Sequence, residues 1–227
     1  MRRTRLLFAF VLFLSSTGVV QAVGTSLETE AEKYSYAIGI NFTQSILRQG
    51  APLDADAVYM AMQDALGGSE PRLSADDMSA ALRGEAQKAG ERKRVALKEN
   101  LRVGKEFMEA NKANEGVVEL SNGLQYKVLR SGGGDHPAPE DTVKVHYEGK
   151  LIDGREFDSS KRRGEPATFP INGVIKGWQE ILPLMRVGDR WEVVIPPNLA
   201  YGAKGAGAVI GPNATLVFEI DLLGIEK

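Results

Sequence analysis

The chain of 227 residues contains no cysteine. That excludes disulfides, thiolate nucleophiles, thiolate metal sites and a lipid-modified N-terminus, each of which needs the thiol. Histidine is scarce as well: His136 and His146 are the two present, and neither has a partner at metal-ligand spacing. Neither acidic nor basic residues are in marked excess. A net charge of -2 gives no reason to expect nucleic acid or an anionic membrane surface as a partner. What is present is ordinary for a folded protein: 43% hydrophobic and 26% charged residues, with room for one or two domains and a real core.

No apolar run is long enough to span a bilayer comfortably, which takes about 20 residues. The run from Leu6 to Leu14 follows a basic start, Arg2-Arg3-Thr4-Arg5, and precedes Val20-Gln21-Ala22, with small residues where a signal peptidase cuts. Residues 1–22 are therefore predicted to be a secretory leader, the alternative being an uncleaved anchor. Its removal takes away arginines and no acid, leaving a mature charge of about -5. Export to the periplasm without stable membrane insertion is expected, association with the outer surface being the alternative.

Residues 26–68 read as two short helices. Tyr34, Ile38, Phe42 and Ile46 recur at fourfold spacing, yet Tyr36, Ile40 and Leu47 put apolar groups on other faces, so the first helix needs cover on several sides. Gly50 is expected to stop it. The second starts at Asp54-Ala55-Asp56, carries Val58, Met62 and Leu66, and ends at Gly67-Gly68. Pairing with a second copy of the chain is the simplest cover; packing on the chain's own C-terminal part is the alternative. After Pro71, Ser74-Ala75-Asp76-Asp77 opens a proline-free stretch to about Asn114, predicted as a rod roughly 60 Å long. Its middle, Gly90-Glu91-Arg92-Lys93-Arg94, lacks apolar groups. Its ends carry Met78 and Leu82, then Leu97, Leu101, Phe107 and Met108. That pattern fits a spacer between two bodies, since no heptad survives the middle. Gly84, Gly90 and Gly104 are expected to let it bend, and Gly116 to end it.

From Val117 the periodicity changes to two. Strands are predicted through Val117–Leu120, Leu124–Leu129, Val143–Tyr147 and Phe157, then Arg190–Ile195 and Thr215–Leu223, with turns at Asn122-Gly123 and Asp153-Gly154. One short helix follows Trp178 and closes near Pro183. The predicted class is α+β: an antiparallel sheet curled over one helix. Val174-Ile175-Lys176-Gly177-Trp178 sets an indole at that helix start, and Tyr147, Phe157, Tyr201 and Phe218 can surround it as an apolar cup. The glycine-rich runs 132–134 and 202–207 are not phosphate cradles, for they lack the Gly-Lys-Ser/Thr ending and a strand follows. His146 alternates with Tyr147 along its strand, points the other way, and reads as structural.

Five segments carry a resemblance: VHYEG at 145–149, REFDSS at 155–160, VIKGW at 174–178, AYGAKG at 200–205 and ATLVFEIDLL at 214–223. In this order and spacing they resemble the FKBP-type peptidyl-prolyl cis/trans isomerase domain. The helical N-terminal layout resembles the Mip/FkpA branch of bacterial FKBPs, whose members pair through N-terminal helices. The resemblance implies a leader at 1–22, a dimerisation region at 23–72, a spacer helix at 73–116 and an isomerase domain at 117–227.

It also implies roles. Trp178 is the floor under a substrate proline; Tyr147, Phe157, Val174, Ile175 and Phe218 are walls; Tyr201 donates its hydroxyl to a substrate carbonyl, and the Ile175 backbone N–H is a second donor. Asp158 accepts from Tyr147 and faces Arg163, while Val209 and Ile210 form a flap. Ala167 and Ala206 stand where other members carry Phe and His, which opens the cup. No cofactor or metal is implied. Expected partners are proline-containing unfolded or exported polypeptides, macrolides of the FK506 and rapamycin type, and a second copy of the chain. Rival readings are a dimeric holdase that clamps unfolded clients and a surface virulence factor.

Overall fold

The computed structural model describes residues 26–48 and 51–226. The leader at 1–22 and the helix stop at Gly50 lie outside the described residues. The chain divides into two compact units between Gln44 and Ser45, inside the first helix.

Helix α1 spans Glu30–Arg48. Its start is a reciprocal cap: Thr29 Oγ1 accepts from the Glu32 N–H, and Glu32 Oε2 accepts from the Thr29 N–H at 2.8 Å. Within the first unit, Tyr34 is 70% exposed, and Tyr36, Ile38 and Phe42 are exposed with it.

In the second unit, α2 (Ala55–Leu66) begins where Asp54 Oδ1 accepts from the Ala57 N–H. An Arg72–Asp64 pair closes the turn behind it at 2.7 and 3.1 Å. Helix α3 is Ala75–Lys112, 38 residues, capped by Ser74. It ends four residues before Gly116, which sits instead in the turn that follows. The Glu91–Arg94 pair and the Glu99–Arg102–Glu106 set line its solvated face, where water screens such pairs and leaves them little weight in stability.

The distal third of α3 is more than a spacer. Gly104, read from the sequence as a point of bending, is its one buried residue among those described, because a Cβ there would lie 2.4 Å from Thr215 Oγ1. Fully buried Gln125 then joins helix to sheet: Nε2 donates to Met108 O and Glu119 Oε2, and Oε1 accepts from Asn111 Nδ2, each at 2.9 Å. A buried amide with these bonds made fixes the seat of the helix.

The strands are β1 (Val117–Glu119), β2 (Gln125–Arg130), β3 (Thr142–Leu151), β4 (Glu156–Ser159), β5 (Ala167–Pro170), β6 (Arg190–Ile195) and β7 (Leu216–Glu226). They form one antiparallel sheet in the order β1-β2-β6-β7-β3-β4, with β5 also on β3. Strand β5 escaped the sequence reading; it and β4 share one edge of β3, joined by the one-turn helix α4 (Ser160–Arg163). Helix α5 (Lys176–Ile181) lies in the concave face, where Ile181, Leu216, Ile220 and Leu222 are fully buried. Among the described residues no helix is long and apolar enough to cross a membrane.

Candidate active site

The cup exists as a hollow of about 430 Å³. Its lining includes Tyr147, Phe157, Asp158, Val174, Ile175, Trp178, Tyr201 and Phe218, eight of the predicted residues, together with Phe169 and Gly173. Trp178, set by the first turns of α5, is 4% exposed yet forms part of that lining. Three rings meet it edge-to-face: Phe218 at 5.3 Å, Tyr147 at 5.4 Å and Phe169 at 6.0 Å between centroids. Phe157 in turn meets Phe218 edge-on at 5.5 Å. Such pairs contribute about 0.5–1.5 kcal/mol beyond area burial. The indole Nε1–H has no acceptor among the described residues, so packing alone holds the floor.

One wall is fixed by polar bonds. The Tyr147 hydroxyl donates to Asp158 Oδ2, Arg163 Nη2 donates to the Tyr147 hydroxyl at 3.0 Å, and Arg163 Nη1 donates to Asp158 Oδ1. Burial pushes the Asp158 carboxyl up, but the bonds from Tyr147 and Arg163 outweigh it and hold the group below the usual carboxylate range. Burial, then the bond to Asp158, raises the Tyr147 hydroxyl; burial, then the Asp158 charge, raises that of Tyr201. Both phenols therefore stay protonated at neutral pH. Behind the wall, Ser160 Oγ accepts from the Tyr147 N–H at 2.8 Å and lies 3.1 Å from His146 Nδ1; His146, which alternates with Tyr147 along β3, is not in the lining of the hollow.

Two donors at the lip are unspent. The Tyr201 hydroxyl, on a side chain 39% exposed, makes no hydrogen bond with the described residues. Neither does the Ile175 backbone N–H, at the residue that precedes α5.

Two predicted residues lie elsewhere. Val209 and Ile210 were expected as a flap over the cup, and the structure does not bring them to its lining. Ala206 and Ile210 exchange backbone hydrogen bonds of 2.9 and 3.1 Å, closing a tight loop that turns Ile210 into the core at 9% exposure. Val209 lines a separate hollow with Asn100 and Val103 of α3. The sequence reading missed Phe169, two residues beyond Ala167 on the same face of β5. The alternation in Ala167-Thr168-Phe169 was the available signal. It also missed Gly149 of VHYEG: a Cβ there would lie 2.7 Å from Phe157 Cε2 and Cζ and 2.8 Å from Phe218 Cε1.

Comparison with known proteins agrees with this geometry. Residues 133–223 match the family described as "FKBP-type peptidyl-prolyl cis-trans isomerase", and residues 31–128 match "Domain amino terminal to FKBP-type peptidyl-prolyl isomerase". The chain is 40% identical to "Outer membrane protein MIP" of Legionella longbeachae over 99% of both chains. It is 45% identical to the "FKBP-type 22 kDa peptidyl-prolyl cis-trans isomerase" of Escherichia coli (strain K12), over 88% of this chain and 98% of that one. The crystal structure of FkpA from Escherichia coli superposes with a TM-score of 0.64 at 35% identity, covering 88% of this chain and 99% of that one. The chain belongs to the FKBP-type peptidyl-prolyl cis-trans isomerases, in the branch that carries the family's amino-terminal domain ahead of the isomerase domain.

Proposed function

We propose that the aromatic cup is where the X–Pro bond turns over, and that the chain does this for exported polypeptides as a homodimer. The barrier to rotation comes from amide resonance and is about 18–20 kcal/mol for peptide bonds in general. Resonance makes the flat amide strongly dipolar, and twisting removes much of that dipole. A hollow lined by Trp178, Phe157, Phe169 and Phe218 strips water from the bond, which penalises the flat form more than the twisted one. The Tyr201 hydroxyl and the Ile175 N–H then hold the substrate carbonyls in the twisted geometry. Asp158, Arg163 and the Tyr147 hydroxyl keep the wall rigid. No side chain has to change its covalent state or give up a proton.

The observation that carries this reading is the pairing of an apolar hollow with two unspent donors at its lip. A protease-coupled X–Pro assay on the mature chain tests it. Tyr201→Phe is expected to lower kcat/KM about tenfold, the value of one well-placed hydrogen bond. A macrolide of the FK506 or rapamycin type is expected to block turnover. The wild-type rate should be flat between about pH 5 and pH 9, because Asp158 titrates below that window and the phenols above it. A rate that follows a group titrating near neutrality would replace this mechanism with proton transfer.

For organisation, residues 1–22 act as a cleaved leader, 23–72 as the dimerisation region, 73–116 as the helix that sets the arms apart and 117–227 as the isomerase domain. The exposed Tyr34 and Phe42 of α1, with Met62 and the 90% exposed Leu66 of α2, supply apolar surface for the partner copy. Sedimentation equilibrium of the mature chain is expected to give twice the chain mass, and a single-chain mass would overturn the pairing. The periplasm is the proposed location. Similarity to a protein named for the outer membrane supports association with that surface, which fractionation of the producing cell decides.

A further inference from the structure

Helix α3 touches the isomerase domain at a place that docking alone does not explain. Besides the Gln125 joint, it reaches the loop between Tyr201 and β7. Asn100 Nδ2 donates to Pro212 O at 2.7 Å, the shortest of these contacts. The next residue, Asn213, has φ +54, the one positive φ at a non-glycine position among the described residues. Asn tolerates that left-handed conformation better than most residues, at some cost in strain, and such strain persists where surrounding bonds fix it. In this conformation the Asn213 N–H donates to Gly202 O at 2.8 Å, beside Tyr201, while its side-chain Nδ2 lies 3.4 Å from Leu97 O of α3. The loop between is closed on itself by the Ala206–Ile210 pair, so the Asn213–Gly202 hydrogen bond is the direct link from Pro212 to the segment that carries Tyr201.

We infer that α3 is part of the isomerase machinery: Asn100, through Pro212 and Asn213, is a positioning residue that sets where the Tyr201 hydroxyl stands over the cup. This rests on the reading of Tyr201 as the substrate donor. The long helix then holds the segment that carries the donor, so bending of α3 near Leu97–Asn100 is felt at the active site. The hollow of about 410 Å³ beside this tether, lined by Asn100, Val103, Val209 and Ala214, gives the loop room to shift when the tether is cut.

The test is a double-mutant cycle on the full mature chain, assayed with an X–Pro peptide. Asn100→Ala is expected to lower kcat/KM about fivefold, the loss of one hydrogen bond that positions a second. Asn100→Asp, which sets an acceptor against Pro212 O, should do at least as much harm, while Asn100→Gln, which keeps the donor, should recover part of the rate. In a Tyr201→Phe background Asn100→Ala should change the rate less than about twofold, since the group it positions is gone. Hydrogen exchange at the Asn213 amide should quicken in Asn100→Ala, with exchange at the sheet amides of β3 and β7 unchanged. Wild-type turnover in Asn100→Ala, or a full penalty that persists in the Tyr201→Phe background, overturns the tether. Wild-type turnover in Tyr201→Phe alone overturns the reading of Tyr201 instead, and the two failures are thereby told apart.

Discussion

Trp178→Ala is expected to lower kcat/KM about thirtyfold, because the floor gives the substrate proline an apolar contact of about 2 kcal/mol. The same change should destabilise the domain by about 3–5 kcal/mol, the usual cost of emptying a large aromatic site. The second effect is the larger in free energy, since three rings lose the surface against which their edges rest. Against a total stability of about 5–15 kcal/mol it leaves a folded protein with little margin. Turnover must therefore be read at low temperature, with circular dichroism confirming the fold. Trp178→Phe keeps an aromatic floor and separates the two effects: it should recover most of the stability and part of the rate. A folded Trp178→Ala protein with turnover within twofold of wild type would end the case for the cup as the site.

Gly149→Val should be nearly as damaging, although Gly149 contacts no substrate in the proposed mechanism. On propensity alone the substitution ought to help, since glycine in a strand interior is about 0.5–1 kcal/mol worse than alanine. Sterics reverse the sign. Gly149 pairs with Phe218 on β7 and with Asp158 on β4, and the Phe157 and Phe218 rings close over its Cα. A side chain there must push both rings aside, and overpacking costs about 1–3 kcal/mol. The displaced rings are two walls of the cup, so kcat/KM is expected to fall by about tenfold for Gly149→Ala and further for Gly149→Val. Unchanged turnover in a folded Gly149→Val protein would mean that neither ring shapes the site.

Much of the site was legible because its chemistry is local. Val174 to Trp178 occupy five consecutive positions, and Phe157 with Asp158 sit within β4, just after the turn at Asp153-Gly154. What escaped depends on distant backbone. Val209 and Ile210 lie off the lining of the hollow, Val209 instead sharing a second hollow with Asn100 and Val103 of α3, more than a hundred residues earlier. Gly104 read as a weak point in a helix, and Thr215, more than a hundred residues further on, makes it a contact surface. Strand β5 is four residues with a proline at its end, too short for alternation to stand out, and its pairing with β3 supplies what local propensity does not.

The strand order carries a consequence for biogenesis. Among the described strands β7 is the last to be made, yet it lies between β6 and β3 in the middle of the sheet. Until residues 216–226 emerge, the earlier strands form two separate pieces without the strip that joins them. Phe218 arrives on that strip. Without it the proposed cup lacks a wall, so a chain cut short of β7 is expected to lose both the middle of its sheet and its turnover.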